Sequence, residues 1–230
     1  ATAAGAVIVP NDVVSGGKDL ILVARRDDRL RALADELTDQ HGIRVDIIKA
    51  DLSDPATPNA LRNDLQQRGV HVDYLINNAG SSGPDLLADR SWSDNRQYLN
   101  LMMTSVAAMC HHFIPPMREQ GFGRVLNVAS VAGLLNLTGD YSYGPTKAYL
   151  VSMSQGLATA LEGSGVHVMA LCPGFTHTEF HASDKLTRMK KSTPDFVWYD
   201  AEVVIREGLA ALEKGRSMYI SGRLYRYLVP

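Results

Sequence analysis

Arg124-Val-Leu-Asn-Val-Ala-Ser130 is a short apolar run that ends in a hydroxyl residue, and its reading decides the fold. A run of this length with little apolar/polar alternation has the pattern of a strand buried on both faces, and such strands belong to parallel sheets covered by helices. Outward from it, similar runs stand at Ala6 to Val9, Leu20 to Ala24, Val45 to Lys49, Tyr74 to Asn77, His167 to Cys172 and Met218 to Ile220. Between them, helices are predicted over Asp27 to Gln40, Pro58 to Arg68, Ser93 to Gln120, Tyr143 to Gly163 and Asp200 to Lys214. The first shows the spacing plainly, with Leu30, Leu33, Ala34 and Leu37 on one face. Strands that alternate with helices predict an α/β fold built on a doubly wound parallel sheet, in a single domain over 1–230.

The bulk composition agrees. A chain of 230 residues and 25.1 kDa can close one hydrophobic core. No internal repeat, low-complexity tract or flexible linker supports a second domain. A net charge of −2 and a pI near 6.4 supply no basic field, so no nucleic-acid partner is expected. No apolar run reaches the roughly 20 residues of a membrane helix, so no transmembrane segment is expected. Cys110 and Cys172 stand in apolar surroundings without metal-ligand spacing, which predicts reduced, buried thiols in a cytoplasmic protein. The histidines do not cluster either. His111 and His112 are adjacent, so on a helix they should point apart, and no metal site is expected.

In a doubly wound sheet, ligands bind beyond the carboxyl ends of the strands, which is where Ser130 falls. Tyr143-Gly-Pro-Thr-Lys147 puts a phenol and an ammonium four apart on one face of a helix start. The ammonium should favour the phenolate, drawing the Tyr pKa below about 10 and making it usable for proton transfer near neutral pH. Alone, such a pair usually marks a solvated helix face, and a lone Ser130 reads as a helix cap. Their company changes the reading. Asp73-Tyr-Leu-Ile-Asn-Asn-Ala-Gly80 and Cys172-Pro-Gly-Phe-Thr-His-Thr178 are further strand ends that run into small residues, where a backbone can approach a ligand closely. The aperiodic segment 175–198 that follows is expected to be a substrate lid.

The order and spacing of Asn77-Asn78-Ala79-Gly80, Asn100, Ser130, Tyr143/Lys147 and Pro173-Gly174 resemble the short-chain dehydrogenase/reductase superfamily, from about Leu20 to the C-terminus. Leu22-Val-Ala-Arg-Arg26 and Leu171-Cys-Pro-Gly-Phe-Thr176 are most similar to its reductases of ketones on hydrophobic molecules, such as ketoacyl chains or hydroxysteroids. The resemblance implies a Rossmann-like fold and an oxidoreductase that transfers a hydride between NADP(H) and a ketone or secondary alcohol. It implies Tyr143 as general acid/base, Ser130 as hydrogen-bond donor to the substrate oxygen, and Lys147 as partner of both Tyr143 and the nicotinamide ribose. Asn100 would hold a water that links Lys147 to solvent. Cofactor contacts would come from Arg25, Asp51, Leu52, Asn78, Ala79, Gly80, Tyr143, Lys147, Pro173, Gly174, Thr176 and Thr178. A homodimer or homotetramer built on the helices Ser93 to Gln120 and Tyr143 to Gly163 is also implied. Charge favours NADP(H) over NAD(H), because the second strand ends in Arg25 and Arg26 with no carboxylate before Asp27.

One motif departs from the family. Its Thr-Gly-x-x-x-Gly-x-Gly phosphate turn is absent, and Ala1 to Lys18 stands in its place. If Ala6 to Val9 is the first strand, ten residues precede Leu20, at or below the roughly 10 to 12 that a βαβ crossover needs. Three accounts stand open: a stretch missing from the numbered sequence, a genuine deletion, or a remnant of the turn in Ala1 to Gly5. A chain with impaired dinucleotide binding would act instead as a sensor or scaffold.

Overall fold

A computed structural model describes residues 19–87, 91–135, 140–177 and 194–228. The order is β1 (Leu20–Ala24), α1 (Asp27–His41), β2 (Val45–Lys49), α2 (Thr57–Gln67), β3 (Tyr74–Asn77), α3 (Trp92–Leu99), a π turn (Asn100–Thr104) and α4 (Ser105–Gln120). Then follow β4 (Gly123–Val128), a 3-10 turn (Val131–Leu134), α5 (Tyr143–Ala160), β5 (Val166–Cys172), β6 (Thr176–His177) and a second 3-10 turn (Asp195–Val197). The chain continues through β7 (Tyr199–Asp200), α6 (Ala201–Glu213), β8 (Met218–Ile220) and α7 (Arg223–Leu228). The predicted strands from Leu20 onward are present, with β4 and β5 each beginning one residue earlier. Ala6 to Val9 lies outside the described residues.

Every ladder among the described residues is parallel. Among the described residues, β3, β4, β5 and β8 form one sheet in that order, while β1 pairs with β2 and β6 with β7. The central strands lack alternation because helices cover both faces. Val125, Val168, Ala170 and Cys172 pack toward α4 and α5, and Leu126, Met169 and Leu171 pack toward Val204, Leu209 and Leu212 of α6. Full burial of a side chain of this size is worth about 1.5–3 kcal/mol, so the interleaved faces of β4 and β5 are the chief anchor of the fold.

β1 does alternate. Leu20, Leu22 and Ala24 face Leu30 and Leu37 of α1 in a small core of their own, and Ile21 and Val23 lean on the main core. α1 begins with Asp27 and Asp28, placed well for the positive helix end, and stops where Gly42 takes φ 64 and donates its N–H to Thr38. Between β1 and β3 lies a cavity of about 420 Å³, lined by Ile21 and Val23 on one side, Leu75 and Ile76 on the other, and Met109 and Phe113. Among the described residues, no strand pairs with the edges of β1 and β3 that line it.

The helix predicted over Ser93 to Gln120 is one continuous run that widens in the middle. Ser105 donates its N–H to the Asn100 carbonyl five residues back, a π turn that the apolar spacing did not reveal. Two elements were not foreseen: the short β6/β7 pair and α7, which together fix the two ends of the expected lid. Residues 178–193 of that segment lie outside the described residues.

Candidate active site

Tyr143 opens α5, and Lys147 sits one turn further along the same helix. The helix start is held by Asp140, whose carboxylate accepts the Gly144 N–H at 2.8 Å. Ser130 leaves the carboxyl end of β4 in extended backbone, its hydroxyl accepting the Ala132 N–H at 3.2 Å. That hydroxyl lies 3.4 Å from the Pro173 carbonyl beyond β5, and shares a hydrogen bond with the Tyr143 phenol. The two hydroxyls therefore meet at the carboxyl edge of the sheet.

Lys147 is buried, and its Nζ donates to the Val128 carbonyl at 2.6 Å, 5.6 Å from the centre of the Tyr143 ring. Gly80 approaches from β3 so closely that a Cβ there would stand 3.4 Å from Met102 Sδ and 3.9 Å from Lys147 Nζ. The π turn that begins at Asn100 packs against α5, bringing Asn100 to the same edge.

The expected depression of the Tyr143 pKa is corrected by this geometry. Burial pushes the phenol up to about 12, and Asp140 adds to the rise, whereas the Ser130 hydrogen bond only partly offsets it. The same burial pulls Lys147 down to about 8. Desolvation disfavours the charged form of both groups, and at this separation it outweighs their attraction. Tyr143 is accordingly a neutral phenol at neutral pH, poised to donate a proton.

Behind these groups runs a buried amide chain. Asn77 Nδ2 donates to Asn127 Oδ1 at 2.8 Å, Asn127 Nδ2 donates to the Ser154 hydroxyl at 2.9 Å, and Ser154 donates to the Leu150 carbonyl at 2.7 Å. It ties β3 and β4 to α5, the helix that bears Tyr143 and Lys147. Sequence reasoning missed Asn127, although an amide in the middle of the apolar run Arg124 to Ser130 was a signal, because a buried amide needs partners.

Of the residues expected to touch a dinucleotide, Arg25, Asp51, Leu52, Asn78, Ala79, Gly80, Pro173 and Gly174 stand just beyond the carboxyl ends of β1, β2, β3 and β5. Arg25 is exposed at the end of β1. Burial of Asp51 opposes its ionisation, but the N–H and O–H of Ser53, with the charge of Arg25, outweigh it and hold the carboxyl below its usual range. Leu52 packs on the main core and lines the 420 Å³ cavity. Asn78 and Ala79 line that cavity too, at the end of β3. Thr176 turns its hydroxyl back to the Gly174 carbonyl at 3.1 Å, and Thr178 lies outside the described residues.

Both cysteines are buried and free. Among the described residues, no group of three or more His, Cys, Asp and Glu side chains could hold a metal, and no helix is long and apolar enough to cross a membrane. The rings of His111 and His112 do not point apart as expected but meet edge to face at 5.1 Å. Neighbouring helix positions about 100° apart still allow two imidazoles to swing together.

The geometry has counterparts. Residues 7–188 match the family model for short chain dehydrogenases, and the chain belongs to this family of NAD(P)-dependent oxidoreductases. It is 35% identical over 172 residues to serine 3-dehydrogenase of Agrobacterium fabrum (strain C58 / ATCC 33970), covering 73% of this chain and 66% of that one. It is 26% identical to 3-oxoacyl-[acyl-carrier-protein] reductase FabG of Aquifex aeolicus (strain VF5), covering 76% and 70%. The aligned region thus spans about two thirds of each of these relatives. A short-chain dehydrogenase from Sphingobium yanoikuyae in complex with NADPH superposes with a TM-score of 0.80 at 29% identity, covering 91% of this chain and 80% of that one.

Proposed function

We propose that this chain interconverts a ketone and a secondary alcohol on a hydrophobic substrate with NADP(H), Tyr143 acting as general acid and base. The observation that carries the reading is the hydrogen bond between the Tyr143 and Ser130 hydroxyls beside buried Lys147. A carbonyl oxygen placed between the two hydroxyls would accept a hydrogen bond from Ser130 and a proton from Tyr143 as negative charge builds on it. When bound, the cofactor supplies the hydride. Lys147 holds a positive charge below pH of about 8 and steadies the phenolate that remains after the proton leaves. Asn100, on the π turn against α5, is suited to hold a water that returns the proton.

The donor set fits the two ends of a dinucleotide. Arg25 and Asp51 would take the adenosine side, with Arg25 on a 2′-phosphate, and Asn78, Ala79 and Gly80 would leave room for the backbone to approach. Tyr143, Lys147, Pro173, Gly174 and Thr176 would take the nicotinamide side. A hydrophobic substrate is favoured by the apolar side chains on loops at this edge: Leu86 and Leu87 beyond β3, Tyr141 before α5, and Phe196 before β7 are all exposed. Ser142 donates to the Pro84 carbonyl at 2.8 Å, which draws two of these loops together.

NADPH oxidation against a panel of medium-chain, aromatic and steroidal ketones tests the reading, with consumption dependent on Tyr143 expected. The absence of the family's phosphate turn from Ala1 to Lys18 favours a second reading: a sensor or scaffold. Titration by NADPH fluorescence separates the three. Binding with turnover supports the reductase, saturable binding without turnover the sensor, and no binding the scaffold.

A further inference from the structure

The turn Pro173–Gly174–Phe175–Thr176 is in direct contact with the proton-transfer pair, because the Pro173 carbonyl accepts the Val131 N–H at 3.0 Å and lies against the Ser130 hydroxyl. What holds the other side of this turn is a side chain from the far end of the sequence. We propose that Tyr225 of α7 is a positioning residue: it fixes the Pro173 to Thr176 turn against Ser130 and so sets the geometry of the reacting edge. The inference rests on the reductase reading above.

The argument is geometric. The Tyr225 hydroxyl accepts the Phe175 N–H at 3.1 Å and donates to the Val197 carbonyl at 2.9 Å. One hydroxyl thus joins the segment that enters the expected lid to the segment that leaves it. The ring presses against Gly174, where a Cβ would stand 2.0 Å from Cε2 and 2.2 Å from Cζ, so only glycine admits the clamp. Phe175 meets the Tyr225 ring edge-on at 6.5 Å and stacks on Trp198 at 5.0 Å.

α7 is itself anchored, since the Leu224 N–H donates to the Tyr199 hydroxyl at 3.2 Å, and Gly222 presses on the Tyr199 ring. Tyr225 is 8% exposed, so its ring would stay in place without the hydroxyl. Removal of the hydroxyl would leave the Phe175 N–H and the Val197 carbonyl without this partner, and the turn would be free to drift. A displacement of about 1 Å at a reacting centre can cost 10²-fold in rate, so a partial loosening is expected to cost about tenfold.

Tyr225→Phe is the test, because it keeps the ring. With NADPH and the best ketone of the panel, kcat is expected to fall about tenfold well below the melting temperature, with the KM for ketone changed less than threefold. The Phe175 amide should exchange at least tenfold faster in Tyr225→Phe than in the wild type. A double-mutant cycle adds a second check, since Gly174→Ala should harm the wild-type chain far more than it harms Tyr225→Ala. Wild-type kcat in Tyr225→Phe overturns the proposal whatever the exchange shows. Should the wild-type chain reduce no ketone, the reductase reading fails by itself, and an unchanged Phe175 exchange rate in Tyr225→Phe then rejects the clamp as well.

Discussion

The four-stranded sheet and the β1–β2 pair are built from runs of similar length, yet they differ in almost every physical respect. β4 and β5 are buried on both faces, β3 and β4 are joined to α5 by the Asn77–Asn127–Ser154 chain, and β4 leads into Ser130, beside Tyr143 and Lys147 of α5. β1 and β2 share a six-residue core with α1, and β2 exposes Asp46 in ion pairs with Arg44 and Arg68. The cavity of about 420 Å³ lies between them. Parallel strands depend on both faces and both edges being covered. The chemistry is therefore assigned to the half that is covered on both faces, and the adenosine side of the proposed cofactor site to the β1–β2 pair, whose β1 edge has no partner strand among the described residues.

The largest effect that would sharpen this contrast is on turnover. Tyr143→Phe removes one hydroxyl and should leave the circular dichroism and melting temperature near those of the wild type while lowering kcat by about 10²-fold or more. Retained activity would move the proton donor elsewhere and break the assignment of chemistry to the four-stranded half.

Cofactor affinity addresses the other half. Replacement of Arg25 and Arg26 by Ala should raise the KM for NADPH by about 10- to 100-fold, the value of lost charge-assisted hydrogen bonds, and leave that for NADH nearly unchanged. Equal losses for both cofactors would show that the end of β1 does not select a 2′-phosphate.

Stability compares the two halves directly. Asn127→Ala removes a fully buried amide and leaves the half-buried Asn77 amide and the buried Ser154 hydroxyl each short of a partner, and should destabilise the fold by about 2–3 kcal/mol in urea melts. Asp46→Ala, on the exposed ion pairs, should cost less than about 1 kcal/mol. The opposite ranking would mean that the β1–β2 pair, rather than β4 and β5, anchors the fold.

A smaller effect comes from Lys147, whose pKa lies near 8 in the folded chain against about 10.5 unfolded. Between these values the unfolded state binds more protons at Lys147, so the Lys147 contribution to stability rises with pH from about 8 to about 10.5. The burial-raised thiols of Cys110 and Cys172 oppose it in the same range. Lys147→Met should flatten that rise and raise stability at pH 7 by about 1–2 kcal/mol while abolishing turnover. A difference in stability between Lys147→Met and the wild type that stays constant over this pH range would place the Lys147 ammonium in a wetter site than the structure gives it.

Much of this contrast was legible in the residues themselves. The runs ending at Asn77, Val128 and Cys172 announce buried parallel strands because they lack alternation, and Ser130, Tyr143 and Lys147 fall at strand and helix ends where side chains meet ligands. The π turn at Asn100 was not legible, since apolar spacing continues through it with one extra residue of slack. Nor was the sign of the Tyr143 shift. Spacing places the ammonium near the phenol, but only the packing around them says that both are removed from water.

The sequence by itself determined which segments become strands and helices, and which chemical groups the chain can bring to an edge. These are local matters of period, glycine and charge. Only the tertiary structure decided which groups meet: that Asn127 links β3 to α5, that a cavity separates β1 from β3, and that Tyr225 reaches back some fifty residues to hold Gly174 and Phe175. Contacts between distant parts of the chain depend on how apolar faces stack, and that arrangement leaves no period in the sequence to be read.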